Sequence, residues 1–160
     1  MIVVLQRVSR ASVVVAGQTV GAIGAGVCLL AGVRRGDGAA DARWLAEKVA
    51  GMRVFEDAGG RTNLALADVG GAVLLVPQFT LAAEWRHGRR PSFSGAAGPA
   101  EAQALLAQLR ISLREAGLFV AEGVFGADMA VELVNAGPFT LVLDSAERPD
   151  RAPPHAPART

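Results

Sequence analysis

Residues 2–33 read IVVLQRVSRASVVVAGQTVGAIGAGVCLLAGV, and their pattern decides the fold class. Residues 2–8 and 12–15 are rich in β-branched side chains, which suit half-buried strands. Ala16-Gly17-Gln18 has the composition of a hairpin turn and leads into a strand at 19–23. Gly24-Ala25-Gly26 marks a second turn. Residues 27–33 form an almost unbroken apolar run, expected to be a strand buried on both faces. Gly36-Asp37-Gly38 ends it, because glycine supplies the positive φ values that turns need.

Further along, the apolar period changes. Asp41 stands where an N-cap would open a helix reaching to about Met52, with Leu45, Val49 and Met52 in one apolar stripe and Trp44 and Lys48 beside it. A second helix is expected from Gly98-Pro99, with proline at the first helical position and Glu101 near the positive end of the dipole. It buries Leu106, Leu109 and Leu113 and stops at Gly117. Between the helices lie Arg53-Val54-Phe55, a strand at 72–76 and a polar loop at 84–95; after Gly117 come strand candidates at 118–121, 129–134 and 139–143. The order of strands, helix, strand, helix, strands lacks the regular alternation of a doubly wound sheet. The expectation is an α+β fold: a largely antiparallel or mixed, barrel-like sheet with two main helices packed on it. Residues 1–147 are expected to form one domain. Residues 148–160, with four prolines and no apolar periodicity, read as a disordered tail.

Composition narrows the function classes. The chain has 160 residues, 51% hydrophobic and 19% charged, which excludes a disordered or fibrous protein. No apolar run nears the ~20 residues needed to span a bilayer, and the start lacks the pattern of a signal peptide, so a soluble cytoplasmic protein without membrane contact is expected. Net charge is +1, and the tail from Arg148 carries three arginines against one aspartate, leaving residues 1–147 at −1. Without a broad basic excess, any nucleic-acid contact must be local. An aromatic content of 5% and the absence of tyrosine argue against an extended base-stacking platform.

The usual catalytic machinery is missing. His87 and His155 are the only histidines, no cluster has zinc spacing, and no metal is expected. Gly21-x-x-Gly24-x-Gly26 is the wrong order for a dinucleotide loop and precedes a strand, so it reads as turn chemistry. Cys28, inside an apolar strand, reads as an inert packed thiol, and His87 as a solvated loop residue.

Three other segments carry chemistry. Val76-Pro77-Gln78-Phe79-Thr80-Leu81 puts an amide, a hydroxyl and backbone N–H groups at a strand exit; they serve either an oxyanion or simply the exit itself. Asn135-Ala136-Gly137-Pro138-Phe139-Thr140 is either a plain Gly-Pro turn between two strands or a cis bond that aims neighbouring carbonyls the same way. Glu84-Trp85-Arg86-His87-Gly88-Arg89-Arg90-Pro91-Ser92-Phe93 is either a solvated loop or a phosphate contact, with Trp85 or Phe93 free to stack on a base.

In this order, these segments resemble the D-aminoacyl-tRNA deacylase family. The likeness covers nearly all of residues 1–147: MIVVLQRVSRASVVV and GAIGAGVCLLAGV, WLAEKVAGMRVFED, then PQFTL, RRPSF, GVFGADM and NAGPFT. The resemblance implies a deacylase-like fold and a homodimer that needs no cofactor. It also implies hydrolysis of the ester joining a D-amino acid to the terminal adenosine of tRNA, with removal of glycine from wrongly charged tRNA. By the same resemblance, the Gly137–Pro138 bond is cis, and this loop of one subunit, with Asn135, enters the other subunit's site. There its carbonyls hold the substrate's α-ammonium and leave no room for an L side chain. Gln78, Phe79 and Thr80 would line the reacting ester, Phe125, Gly126, Ala127 and Met129 the adenine end, and Arg89 and Arg90 the phosphates. The family usually has serine where this chain has Pro77, so the hydroxyl and N–H of that serine are gone, while the loop geometry is expected to survive. Two mechanisms stay open: a substrate-assisted route through oxyanion stabilisation near Phe79 and Thr80, and attack by Thr80 itself, which needs a base. The alternative function is a non-catalytic module that binds RNA 3′ ends.

Overall fold

Alternation builds the first strand. In β1 (Ile2–Val15) the side chains of Val3, Leu5, Val8, Ala11 and Val13 are buried, and the phase slips around Arg7 and Val8. In the computed structural model, which describes residues 1–150, β1 is the spine of the sheet. β2 (Gln18–Ile23) and β3 (Gly26–Gly32) return along one edge of it, β2 pairing Ala11 with Ile23 and β3 pairing Val8 with Gly26 and Ile2 with Gly32. The expected pair of hairpins is thus one long bent hairpin, closed by Ala16 and Gly17 at φ 49° and 78°, while Gln18 already belongs to β2.

The other edge of β1 is taken by β8 (Ala130–Asp144), from Val14 opposite Ala130 to Ile2 opposite Asp144. This corrects the expectation of two strands joined by a Gly-Pro turn. They are one strand, with its extra residues pushed out as a bulge.

The sheet is mixed, as expected. α1 (Ala39–Gly51) follows β3, and β6 (Ala72–Pro77) runs parallel to β3. α2 (Pro99–Glu115) follows β6, and β7 (Phe119–Glu122) runs parallel to β6. β4 (Phe55–Glu56) and β5 (Thr62–Leu64) form a small separate hairpin. The main sheet curls until β2 meets β7: a Cβ on Gly21 would lie 2.4 Å from the Glu122 carbonyl oxygen, so glycine is what permits the near closure.

Each face of the curled sheet has its own core. Val3, Leu5, Leu29 and Leu75 meet Leu45, Val49, Leu106, Leu109 and Leu113 of the two helices. Val8, Val13, Cys28, Leu74 and Val76 pack on the opposite face. β3 is therefore buried on both faces, and burial pushes the Cys28 thiol up to about 11.

Helix ends follow the sequence with one correction. α1 is capped at Gly38, not Asp41; Asp41 sits three residues on, and its carboxylate accepts the Gly38 N–H at 2.7 Å. Met52 is the half-buried C-cap, and Lys48 Nζ lies 5.5 Å from the Trp44 ring. α2 starts with Pro99 after Gly98, as expected, and Gly117 leaves it at φ 83°.

Just past residue 147, the Arg148 guanidinium is 3.7 Å from Asp41 and 2.6 Å from Asp150. The rest of the expected tail, residues 151–160, lies outside the described residues.

Candidate active site

The C-terminal ends of β3 and β6 open into a cavity of about 480 Å³. Ala31 and Val33 form its floor, and Val76, Pro77, Gln78 and Phe79 one wall; Pro99, Ala102 and Leu106 of α2 close a second side, and Phe125, Gly126, Ala127 and Met129 a third. Among these residues only Gln78 has a polar side chain. Such a space suits a largely apolar group, with few polar atoms to orient it.

Proline ends β6 without disturbing the exit. Pro77 still sits opposite Ala31, and the next amide, of Gln78, donates to the Ala31 carbonyl at 2.8 Å. The chain then enters a short 3₁₀ turn, Phe79–Ala82, whose first bond runs from Leu81 N–H to the Gln78 carbonyl at 3.3 Å. The N–H groups of Phe79 and Thr80 precede that bond, so the turn itself does not use them. The Gln78 side-chain amide donates to the Thr80 hydroxyl. Gln78 and Phe79 thus line the cavity; Thr80 does not, but is tied to Gln78.

Phe79 is 56% exposed at the mouth, and its ring meets that of Phe93 edge-on, with centroids 5.1 Å apart at 68°. Phe93 follows the arginine-rich loop, whose neck is closed by two backbone bonds of 2.8 Å between Glu84 and Ser92. The Glu84 carboxylate accepts the Arg86 N–H at 2.9 Å and its guanidinium at 2.9 Å. The Arg86 backbone N–H, reinforced by the guanidinium, holds the Glu84 carboxyl below its usual range. Arg89 and Arg90 are exposed on this loop and do not line the cavity, and His87 is exposed as expected.

The Gly137–Pro138 segment departs most from expectation. Its bond is trans: no peptide bond among the described residues is cis. The chain changes direction through Gly137 at φ 120° instead. Arg7 alone stands opposite residues 136–139, between the pairs Gln6–Thr140 and Val8–Asn135. Its guanidinium donates to the Ala136 carbonyl at 2.9 Å and to the Val54 carbonyl at 2.7 Å, and lies 5.2 Å from the Phe139 ring. A Cβ on Gly137 would fall 2.3 Å from that guanidinium. Asn135 accepts the Phe139 N–H at 3.0 Å and donates to the Thr140 hydroxyl at 2.8 Å, so its amide is spent within the bulge. Gly137 and Pro138 are exposed, and none of Asn135, Gly137 and Pro138 lines the cavity of their own chain. Sequence reasoning gave Arg7 no role. The one signal was a cation in the apolar first half of β1, next to Gln6.

The site residues therefore fall into two main groups, one around the cavity and one on the bulge, with Arg89 and Arg90 apart on the exposed loop. The comparisons with known proteins treat both as parts of one protein. The family model described as D-Tyr-tRNA(Tyr) deacylase matches residues 4–144. A D-aminoacyl-tRNA deacylase of Anaeromyxobacter dehalogenans is 59% identical over 142 residues, covering 89% of this chain and 95% of that one. Another from Thermomicrobium roseum is 58% identical over 147 residues, covering 92% and 96%. Among solved structures, the c-Myc DNA unwinding element binding protein superposes with a TM-score of 0.84 at 35% identity, over 90% of this chain and 98% of that one. Cavity, arginine-rich loop and bulge all lie within the span that the family model matches, and the chain belongs to the D-aminoacyl-tRNA deacylase family.

Proposed function

We infer that the chain hydrolyses the ester of D-aminoacyl-tRNA, releasing the D-amino acid and the tRNA, as its relatives' names describe for them. One observation carries this reading to named residues. The exit of β6 and the GVFGADM segment, far apart in sequence, meet at a single apolar cavity whose one polar side chain is Gln78. The terminal adenine enters among Phe125, Gly126, Ala127 and Met129, and the ester rests at the mouth beside Gln78, Phe79 and Thr80.

In this reading water attacks the ester carbonyl. The charge that develops on its oxygen is met by the N–H groups of Phe79 and Thr80, and positioning supplies much of the remaining acceleration. The adenosine 3′ oxygen leaves with a proton relayed from the attacking water through the neighbouring 2′-hydroxyl. No protein base is needed, which fits the lack of any histidine, aspartate or glutamate in the cavity lining. Pro77 costs little, because the Gln78 amide keeps its bond to Ala31.

The second group acts in trans. Two copies pair so that the exposed Gly137–Pro138 bulge of one reaches the cavity mouth of the other. There its main-chain carbonyls take the substrate's α-ammonium, admitting glycine or a D side chain and excluding an L side chain. Exposed Val134 and Val142, on the same strand, supply apolar surface for the pairing. Arg89 and Arg90 meet the phosphates, and the reaction belongs to the cytoplasm, where tRNA is charged. No helix of the described residues is long and apolar enough to cross a membrane.

The test is turnover of D-aminoacyl-, glycyl- and L-aminoacyl-tRNA side by side, with sedimentation to read the oligomer. Release from the first two but not the third by a dimer is expected. Binding of charged tRNA without release selects the non-catalytic module.

A further inference from the structure

Trp85 is 71% exposed, the most exposed of the large apolar side chains among the described residues. Nothing in the fold needs it there: it belongs to neither core, and its one ring contact is the Arg86 guanidinium, 5.9 Å from the centroid. Yet the backbone on both sides of it is held. Arg86 is held by Glu84, and Glu84 is bonded to Ser92 across the loop neck, so Trp85 stands at the neck rather than at the loose tip. One residue past Ser92, Phe93 rests on Phe79 at the cavity mouth.

We propose that Trp85 is a stacking platform for an unpaired base of the tRNA 3′ end, just upstream of the adenosine in the cavity. This rests on the hydrolase reading above. Of the two aromatic side chains on this loop, Phe93 is already committed to Phe79, and Trp85 is not. Charge points to the same occupant. Arg86 is neutralised by Glu84, but no ion pair among the described residues involves Arg89 or Arg90. An aromatic face beside uncommitted cations is the pairing with which proteins hold single strands: the face takes a base of any identity and the cations take the backbone. With one such ring available, the contact covers one base, in keeping with the low aromatic content of the chain.

The test separates the platform from the chemistry. Trp85→Ala lowers kcat/KM on D-aminoacyl-tRNA about tenfold, through KM. It leaves hydrolysis of 2′(3′)-O-D-aminoacyl-adenosine, which has no upstream base, unchanged, and Trp85→Phe restores most of the loss. An equal loss on both substrates, or no loss on tRNA, overturns the proposal. A second measurement needs no turnover. In a Trp44→Phe background only Trp85 emits, and saturating uncharged tRNA quenches it, whereas tRNA trimmed of its unpaired 3′ nucleotides does not. Unchanged emission with intact tRNA overturns the platform as well. Failure of the hydrolase reading shows elsewhere, as no release from either substrate by the unaltered chain.

Discussion

The cavity and the Gly137–Pro138 bulge are built on opposite plans. The cavity is complete within one chain: two parallel strands end side by side, α2 covers them, and apolar walls leave a single polar side chain. The bulge has its polar groups on display. It is exposed, and it is held in shape from beneath by one guanidinium and one amide, those of Arg7 and Asn135. The cavity is defined by packing and tolerates small changes of volume. The bulge is defined by a few directed bonds, and losing one of them removes its shape. Functional sensitivity should therefore concentrate at residues that touch no substrate.

The sharpest way to break that contrast is Arg7→Ala. It strips the donor from two carbonyls, each charge-assisted bond contributing about 1.5–3 kcal/mol. Hydrolysis of D-aminoacyl-tRNA is expected to fall about a hundredfold or more. Arg7→Lys should not rescue it, because a point charge does not bridge two carbonyls as a planar fork does. Single-turnover rates, read beside thermal melts, check this, and near-full activity in Arg7→Ala would erase the contrast. Gly137→Ala comes next. A Cβ at φ 120°, pressed on Arg7, strains the backbone by about 1–3 kcal/mol, so activity drops about tenfold. The melting temperature falls by only a few degrees for a chain of this size. Loss of discrimination against L-aminoacyl-tRNA in this variant would sharpen the role given to the bulge.

The two regions were unequally legible in the sequence. Most of what bounds the cavity carries a local mark: alternation gives the strands, Pro99 and Gly117 bound α2, and the PQFTL and GVFGADM segments both contribute to the lining. The bulge is not local. Gly137-Pro138 has the composition of a turn, and beside the local bonds of Asn135 it takes Arg7, 129 residues from Ala136 along the chain and 47 from Val54, to hold it as a bulge within a continuous strand. The resemblance supplied a cis bond, and in this chain the positive φ of Gly137 makes the bend instead. Gly38, as the cap of α1, was hidden for a different, local reason: Asp41 is the better capping type, but here it reaches back from the third position.

A weaker effect tests how the two regions are joined. Arg34 pairs with Asp144 at the end of β8, and its backbone bridges Ala96 at the cavity wall. Burial, the largest single influence, raises the Asp144 pKa, but the Arg34 hydrogen bonds, the Ala146 N–H and the positive charges of Arg34 and the N-terminus together outweigh it, and the net shift is downward. A carboxyl lowered on folding adds stability that is present above its ordinary value of 3.8 and lost as pH falls through the lower folded value. Melting temperature should therefore decline on the acid side, and Asp144→Asn should flatten that decline. Identical slopes for the two proteins would remove the pair from the account.

Thr80→Ala should do least, and its small effect decides the chemistry. The hydroxyl is outside the cavity lining and accepts from the Gln78 amide, while the group assigned to the oxyanion is the backbone N–H, which alanine keeps. If water attacks and the adenosine 2′-hydroxyl relays the proton, the variant stays within about threefold of the unaltered chain, since losing one exposed hydrogen bond costs about 0.5 kcal/mol, the low end of the usual range. If Thr80 is the nucleophile, the variant is dead while its melting curve is unchanged, and a rapid burst of deacylated tRNA precedes steady turnover in the unaltered chain. The side-chain partner of the Thr80 hydroxyl is the Gln78 amide N–H, a donor that cannot take its proton, so the first outcome is the expected one.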